Sequence, residues 1–139
     1  LEIYERPADT YVAGFIGSPA MNFLDARLAE GGAAAALAAG PVLRFADGPR
    51  PGADGTPLVV GIRPEHVLPD DAGLPLAIDL VEPLGSESVL HGRLAQGEAL
   101  AIRLPGRPPA GDRLAVSLPP AALHVFTAET GRRLDPLAA

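Results

Sequence analysis

A mainly β fold, either a sandwich or a small barrel with one helix at its N-terminus, is predicted by three observations. From residue 58 onward, short apolar or alternating runs recur at 58–63, 76–81, 88–94, 100–104, 113–118 and 124–126, each bounded by Gly, Pro or Asp. Within them Leu100, Ile102 and Leu104 alternate, as do Leu114, Val116 and Leu118, the period-two pattern of strands with one buried face. The 139 residues suffice for one ordinary domain, or for two very small barrels sharing a core.

Taken in order, residues 8–16 read as a helix. Pro7 suits a first helical turn, and Tyr11, Val12, Phe15 and Ile16 fall on one apolar stripe. Gly17, Ser18 and Pro19 form a helix stop, because Gly accepts a left-handed cap and Pro cannot continue the ladder. A boundary is placed near Met21, and residues 22–28 suit a first strand. The Gly/Ala tract at 31–40 is compatible with either a loop or a short helix. Residues 42–45 fit a strand, and 47–57, with three Pro and three Gly, fit a turn or hairpin tip. Pro119 and Pro120 suggest one helical turn over 121–123, before the last strand.

Composition excludes several functions. An apolar content of 47% with only 4% aromatic residues implies a core of Ala, Leu, Val and Ile. With no cysteine there is no disulfide framework and no thiolate metal site. All 11 basic residues are Arg, so the Lys of a phosphate-cradling P-loop is missing. A net charge of -6 argues against a reader of phosphate backbones, so nucleic acid is not an expected partner. The opening residues have neither a basic nor an apolar signal region, and the chain reads as a segment of a longer protein. No apolar run approaches the ~20 residues needed to span a bilayer.

Few residues suggest chemistry. His66, His91 and His124 are scattered, without the spacing that sets two imidazoles on one helical face around a metal. Ser86, His91 and Asp79 contain the types of a nucleophile, base and orienter, but no nucleophile elbow accompanies them. Glu65, Glu82 and Glu87 sit at the ends of expected strands, where solvated carboxylates are the ordinary case. Arg63, followed by Pro64 and Glu65, is expected to brace a carboxylate as a structural ion pair at a strand end. No catalytic, cofactor-binding or metal-binding residue is assigned.

Four blocks carry a family resemblance: YERPADTYVAGFIGSPAMNFL at 4–24, VVGIRPEHV at 59–67, VEPLGSESVLHGRL at 81–94 and HVFTAETGRRL at 124–134. In this order they resemble the C-terminal regulatory region of ATPase subunits of carbohydrate-type ABC importers, the maltose and glycerol-3-phosphate group. The resemblance implies an OB-type (TOBE) β-barrel over 22–139, preceded by the last helix and hinge of an ATPase domain at 1–21. It singles out Gly17, Ser18, Pro19, Asn22, Arg63, Pro64, Glu65, Glu82, Gly85 and Glu87 as structural or regulatory positions. ATP and Mg would be bound in the preceding ATPase domain, not here. The implied partners are a second copy of the subunit, the transmembrane permease subunits and a regulatory protein or small effector, at the cytoplasmic face of the plasma membrane. Tyr11, Val12, Phe15 and Ile16 form the candidate self-association face.

Two other readings stand beside this one. An oxyanion- or small-molecule-sensing accessory barrel of an importer would use Arg63, Arg93 or backbone amides. A nucleic-acid-binding barrel would need stacking aromatics and a basic groove, which four Phe and two Tyr in an acidic chain do not supply.

Overall fold

The computed structural model describes residues 2–17 and 19–138. Two antiparallel sheets face each other across one core. The first contains β1 (Asn22–Ala29), β2 (Ala34–Leu37), β3 (Val42–Arg44), β4 (Pro57–Ile62) and β9 (His124–Thr127), in the order β3-β2-β1-β4-β9. The second contains β5 (Leu68–Pro83), β6 (Glu87–Arg93), β7 (Ala99–Pro105) and β8 (Arg113–Ser117), in the order β7-β6-β5-β8.

Side-chain alternation decides which face of each strand is buried. In β1, Leu24, Ala26 and Leu28 point inward while Phe23, Asp25 and Arg27 point out. They meet Val60 and Ile62 of β4, Leu90 of β6 and Leu100 and Ile102 of β7, an aliphatic core of the kind the composition requires. Asn22 links the sheets: its amide donates to the Ala101 carbonyl and its side-chain oxygen accepts from the Ala101 N–H, both at 2.8 Å. Both backbone groups of a β7 residue are thereby satisfied by a side chain from β1.

The Gly/Ala tract is neither loop nor helix. A 3-10 turn at Glu30–Gly32 is followed by β2, which pairs with β1 on one side and β3 on the other. Small side chains suit this place because Ala34 and Ala35 are fully buried. Strand β5 extends well beyond the expected 76–81, with a register break between Pro69 and Leu74 against β8. The helical turn before the last strand is a 3-10 turn at Pro120–Ala122.

The single N-terminal helix is corrected to two short ones, α1 (Glu2–Glu5) and α2 (Thr10–Phe15), with Pro7 buried between them. Asp9 caps α2 by accepting from the Val12 N–H at 2.8 Å. Here the expected apolar stripe does not set the docking face. Ala13 is buried against Met21 and Phe126 on the outer side of the first sheet, whereas Tyr11 and Phe15 are 79% and 76% exposed. A helix this close to a sheet meets it through a small side chain. The two exposed rings stack on each other, with centroids 6.3 Å apart.

Candidate functional site

The junction between the N-terminal helices and the barrel centres on Arg63. Strand β4 ends at Ile62, and Pro64 opens a 3-10 turn, Pro64–His66, so Arg63 is fixed at a chain reversal. Its side chain is 1% exposed, and its expected carboxylate partner is replaced by backbone carbonyls. Nη2 donates to the Tyr4 carbonyl at 3.0 Å, and Nη1 donates to the Ile16 carbonyl and, at 3.4 Å, to that of Ala13. These carbonyls lie at the ends of α1 and α2, where helices leave acceptors without intrahelical partners and concentrate negative dipole charge. The guanidinium also lies 4.2 Å from the centre of the Tyr4 ring. The Glu65 carboxylate, the partner expected for Arg63, instead accepts from the Tyr4 hydroxyl.

Neighbouring residues tighten the same clasp. Gly17 has a φ of 105°, and a Cβ there would stand 3.0 Å from Nη1 of Arg63. Both the left-handed backbone and the space therefore call for glycine. From the far end of the chain, Arg133 donates to Nδ1 of buried His124 at 3.2 Å and reaches the Pro7 carbonyl at 3.4 Å. The backbone of 131–133 also bonds to Thr10 and Ala8, so N- and C-terminal segments hold each other on the barrel. Burial pushes the His124 imidazole down to about 4, helped by the charges of Arg133, Arg63 and His66. It therefore stays neutral at pH 7 and accepts from Arg133 through Nδ1.

The remaining singled-out residues separate into distinct places. Pro64 is buried in the turn that follows β4, and Pro19 is half-buried. Ser18 lies outside the described residues. Glu87 of β6 pairs with Arg103 of β7, which holds its carboxyl below the usual range. Glu82 pairs with His91 on the outer face of the second sheet, and Gly85, with a φ of 82°, makes the β5–β6 turn. With His91 on Glu82 and Asp79 on Arg93, two side chains of the Ser86–His91–Asp79 set have other partners. Arg93 is thereby engaged as well. No cluster of three metal-ligating side chains occurs among the described residues.

Sequence reasoning missed Tyr4, His124, Arg133 and the buried Arg50. Arg50 pairs with Asp47, donates to the Leu134 carbonyl at 3.1 Å and lies over Phe45. An Arg inside a Gly/Pro turn close to a Phe and an Asp was the only available signal.

A two-sheet antiparallel barrel with a helical segment clasped to its side defines the class: an OB-type module. Residues 17–67 match the MalK OB fold domain and residues 60–126 match the TOBE domain. Over 17–126 the chain therefore carries the OB and TOBE domains, and its sequence is similar to part of the ATP-binding subunits of glycerol-3-phosphate importers. It is 49% identical over 138 residues to the sn-glycerol-3-phosphate import ATP-binding protein UgpC of Cereibacter sphaeroides. It is 45% identical over 140 residues to the UgpC of Burkholderia pseudomallei. Each alignment takes in 96% of this chain but only 37% and 39% of the relative, respectively. The fold alone is shared with the cytoplasmic molybdate-binding protein ModG, at a TM-score of 0.57 and 13% identity, covering 75% of this chain and 94% of that one.

Proposed function

We propose that the chain is the regulatory and dimerisation domain of the ATP-binding subunit of an importer for glycerol-3-phosphate or a related sugar-class solute. Residues 1–21 are the end of the ATPase domain and its hinge, and 22–139 are the barrel that follows. ATP and Mg are bound, and ATP is hydrolysed, in the part of the subunit to which the relatives' remaining length corresponds; this segment contributes no catalytic group. The subunit sits at the cytoplasmic face of the membrane through its permease partners. No helix among the described residues is long and apolar enough to cross a membrane.

The observation that carries this reading is the Arg63 clasp. A buried cation fixing the ends of α1 and α2 makes the helical segment and the barrel one mechanical unit. An ATPase domain continuous with those helices would hand its movements to the barrel. The exposed Tyr11–Phe15 stack is the surface offered to a second copy.

Sedimentation across a concentration series tests the dimer. The expected result is a monomer–dimer equilibrium, weakened at least tenfold by joint Tyr11→Asp and Phe15→Asp substitution. A chain that stays monomeric at the highest concentration refutes dimerisation. A dimer indifferent to the two changes places the interface elsewhere on the barrel.

A further inference from the structure

Residues 131–137, which follow β9, run as one more ribbon along the β9 edge of the first sheet. Toward β9, the Thr127 N–H donates to the Arg132 carbonyl at 2.9 Å and the Leu134 N–H to the Val125 carbonyl at 2.8 Å. Toward the N-terminal helices, the Thr10 N–H donates to the Gly131 carbonyl and the Arg133 N–H to the Ala8 carbonyl, both at 2.8 Å. Arg133 is thus bridged in antiparallel fashion to Phe126 on one side, and Arg132 to Asp9 on the other. Among the described residues, the backbone of 8–10 reaches the first sheet through this ribbon and not by pairing with β9 itself. The ribbon also covers the β9 edge, where unpaired backbone groups would otherwise be offered.

Both ends of the ribbon are fixed. Gly131 has a φ of 72°, and a Cβ there would stand 2.7 Å from Oγ1 of Thr10, so the entry calls for glycine. At the far end the Leu137 N–H donates to the Pro49 carbonyl at 2.8 Å, and Nε of buried Arg50 donates to the Leu134 carbonyl at 3.1 Å. Hydrogen bonding holds this segment more than burial does. No residue from 131 to 137 is buried, and Leu134 packs against the main core from a half-buried position. The helices it touches are as lightly anchored: α1 buries no residue and α2 buries Ala13. By contrast β6 and β7 are rooted in the core by Leu90, Leu100 and Ile102. Elements with few buried contacts open locally at a lower free energy than core strands.

We infer that residues 131–137 are a latch: paired between β9 and residues 8–10 they lock the N-terminal helices onto the barrel, and latch and helices open together as one local unit while the two-sheet barrel stays folded. Arg63 grips the helical segment at Tyr4, Ala13 and Ile16, whereas the latch grips it at residues 7–10, with Arg133 reaching the Pro7 carbonyl and His124. Loosening the latch therefore removes one of two attachments and leaves the helices on the Arg63 clasp alone. This inference does not depend on dimerisation or on the nature of the transported solute.

The test is amide hydrogen exchange, followed residue by residue by NMR on the 139-residue chain and two variants. Gly131→Val strains the entry of the latch and crowds Thr10; Arg133→Ala removes the side-chain bonds to Pro7 and His124 and leaves the backbone ribbon in place. The amides of Thr10, Ala13, Ile16 and Leu134 are expected to exchange faster together, by about fivefold or more, while the protected amides of β6 and β7 stay within about twofold of the parent. Where Gly131→Val does not fold, Arg133→Ala decides by the same criteria. Unchanged exchange at Ala13 and Ile16 in both variants overturns the inference, because the helices are then held without the latch. Acceleration of β6 and β7 to the same degree as α2 also overturns it, because the segment is then part of the barrel's own folding unit.

Discussion

Truncating Arg63 to Ala tests the clasp most directly. The substitution removes two good charge-assisted hydrogen bonds, to Tyr4 and Ile16, and a long one to Ala13. Bonds to a charged donor contribute roughly 1.5–3 kcal/mol each, and the lost side chain also leaves a cavity. Against this, Ala relieves the cost of burying a guanidinium without a carboxylate, which amounts to several kcal/mol. The net loss is about 2–4 kcal/mol, lowering the melting temperature on the order of 10 °C for a chain of this size. Urea denaturation and calorimetry measure it, and limited proteolysis is expected to cut first at residues 5–9 of the variant. Glu65→Gln separates this account from a carboxylate–Arg63 ion pair. The carboxylate is exposed and, among the described residues, meets Tyr4 in a side-chain hydrogen bond, so the change is expected to cost under about 1 kcal/mol. An Arg63→Ala protein melting within about 1 °C of the parent refutes the reasoning, as does a Glu65→Gln protein as unstable as Arg63→Ala.

Acid is expected to act through His124. Its folded-state pKa of about 4 lies below the ordinary 6.5, so the unfolded chain binds the extra proton between those values. The stability contributed by the neutral imidazole is complete above pH 6.5 and lost as pH falls toward 4, by about 3 kcal/mol in total. Denaturation measured at stepped pH is expected to show this limb, and His124→Gln to flatten it; an unchanged slope in the variant counts against the assignment. Asn22→Ala is expected to cost about 2 kcal/mol, because the Ala101 N–H and carbonyl both lose their partner where β1 meets β7. Hydrogen exchange at Ala101 reads this out, and an amide equally protected in the variant contradicts it.

Strand positions were largely legible because burial of one face imposes alternation directly on the chain. The runs at 58–63, 88–94, 100–104 and 113–118 match β4, β6, β7 and β8 to within a residue or so. The Gly/Ala tract was not legible, because alanine has no strong pattern of its own; pairing with β1 and β3 makes it a strand. The helix was legible in place but not in face, since Tyr11 and Phe15 belong to a stripe that this barrel does not cover. Four ordered blocks also sufficed to point to the family.

Arg63 shows where local reading ends. Its neighbours Pro64 and Glu65 suggest a carboxylate partner, yet its strongest partners lie 47 and 59 residues away and are backbone carbonyls, which no side-chain identity announces. His124 and Arg133 are close in sequence, but burial beside Arg63 and His66 decides that the ring is neutral. Composition and periodicity determined the β architecture because they act through the chain's own spacing. Tertiary structure alone decided the clasp, because hydrogen bonds and electric fields depend on distances in space, set only when the termini close onto the barrel.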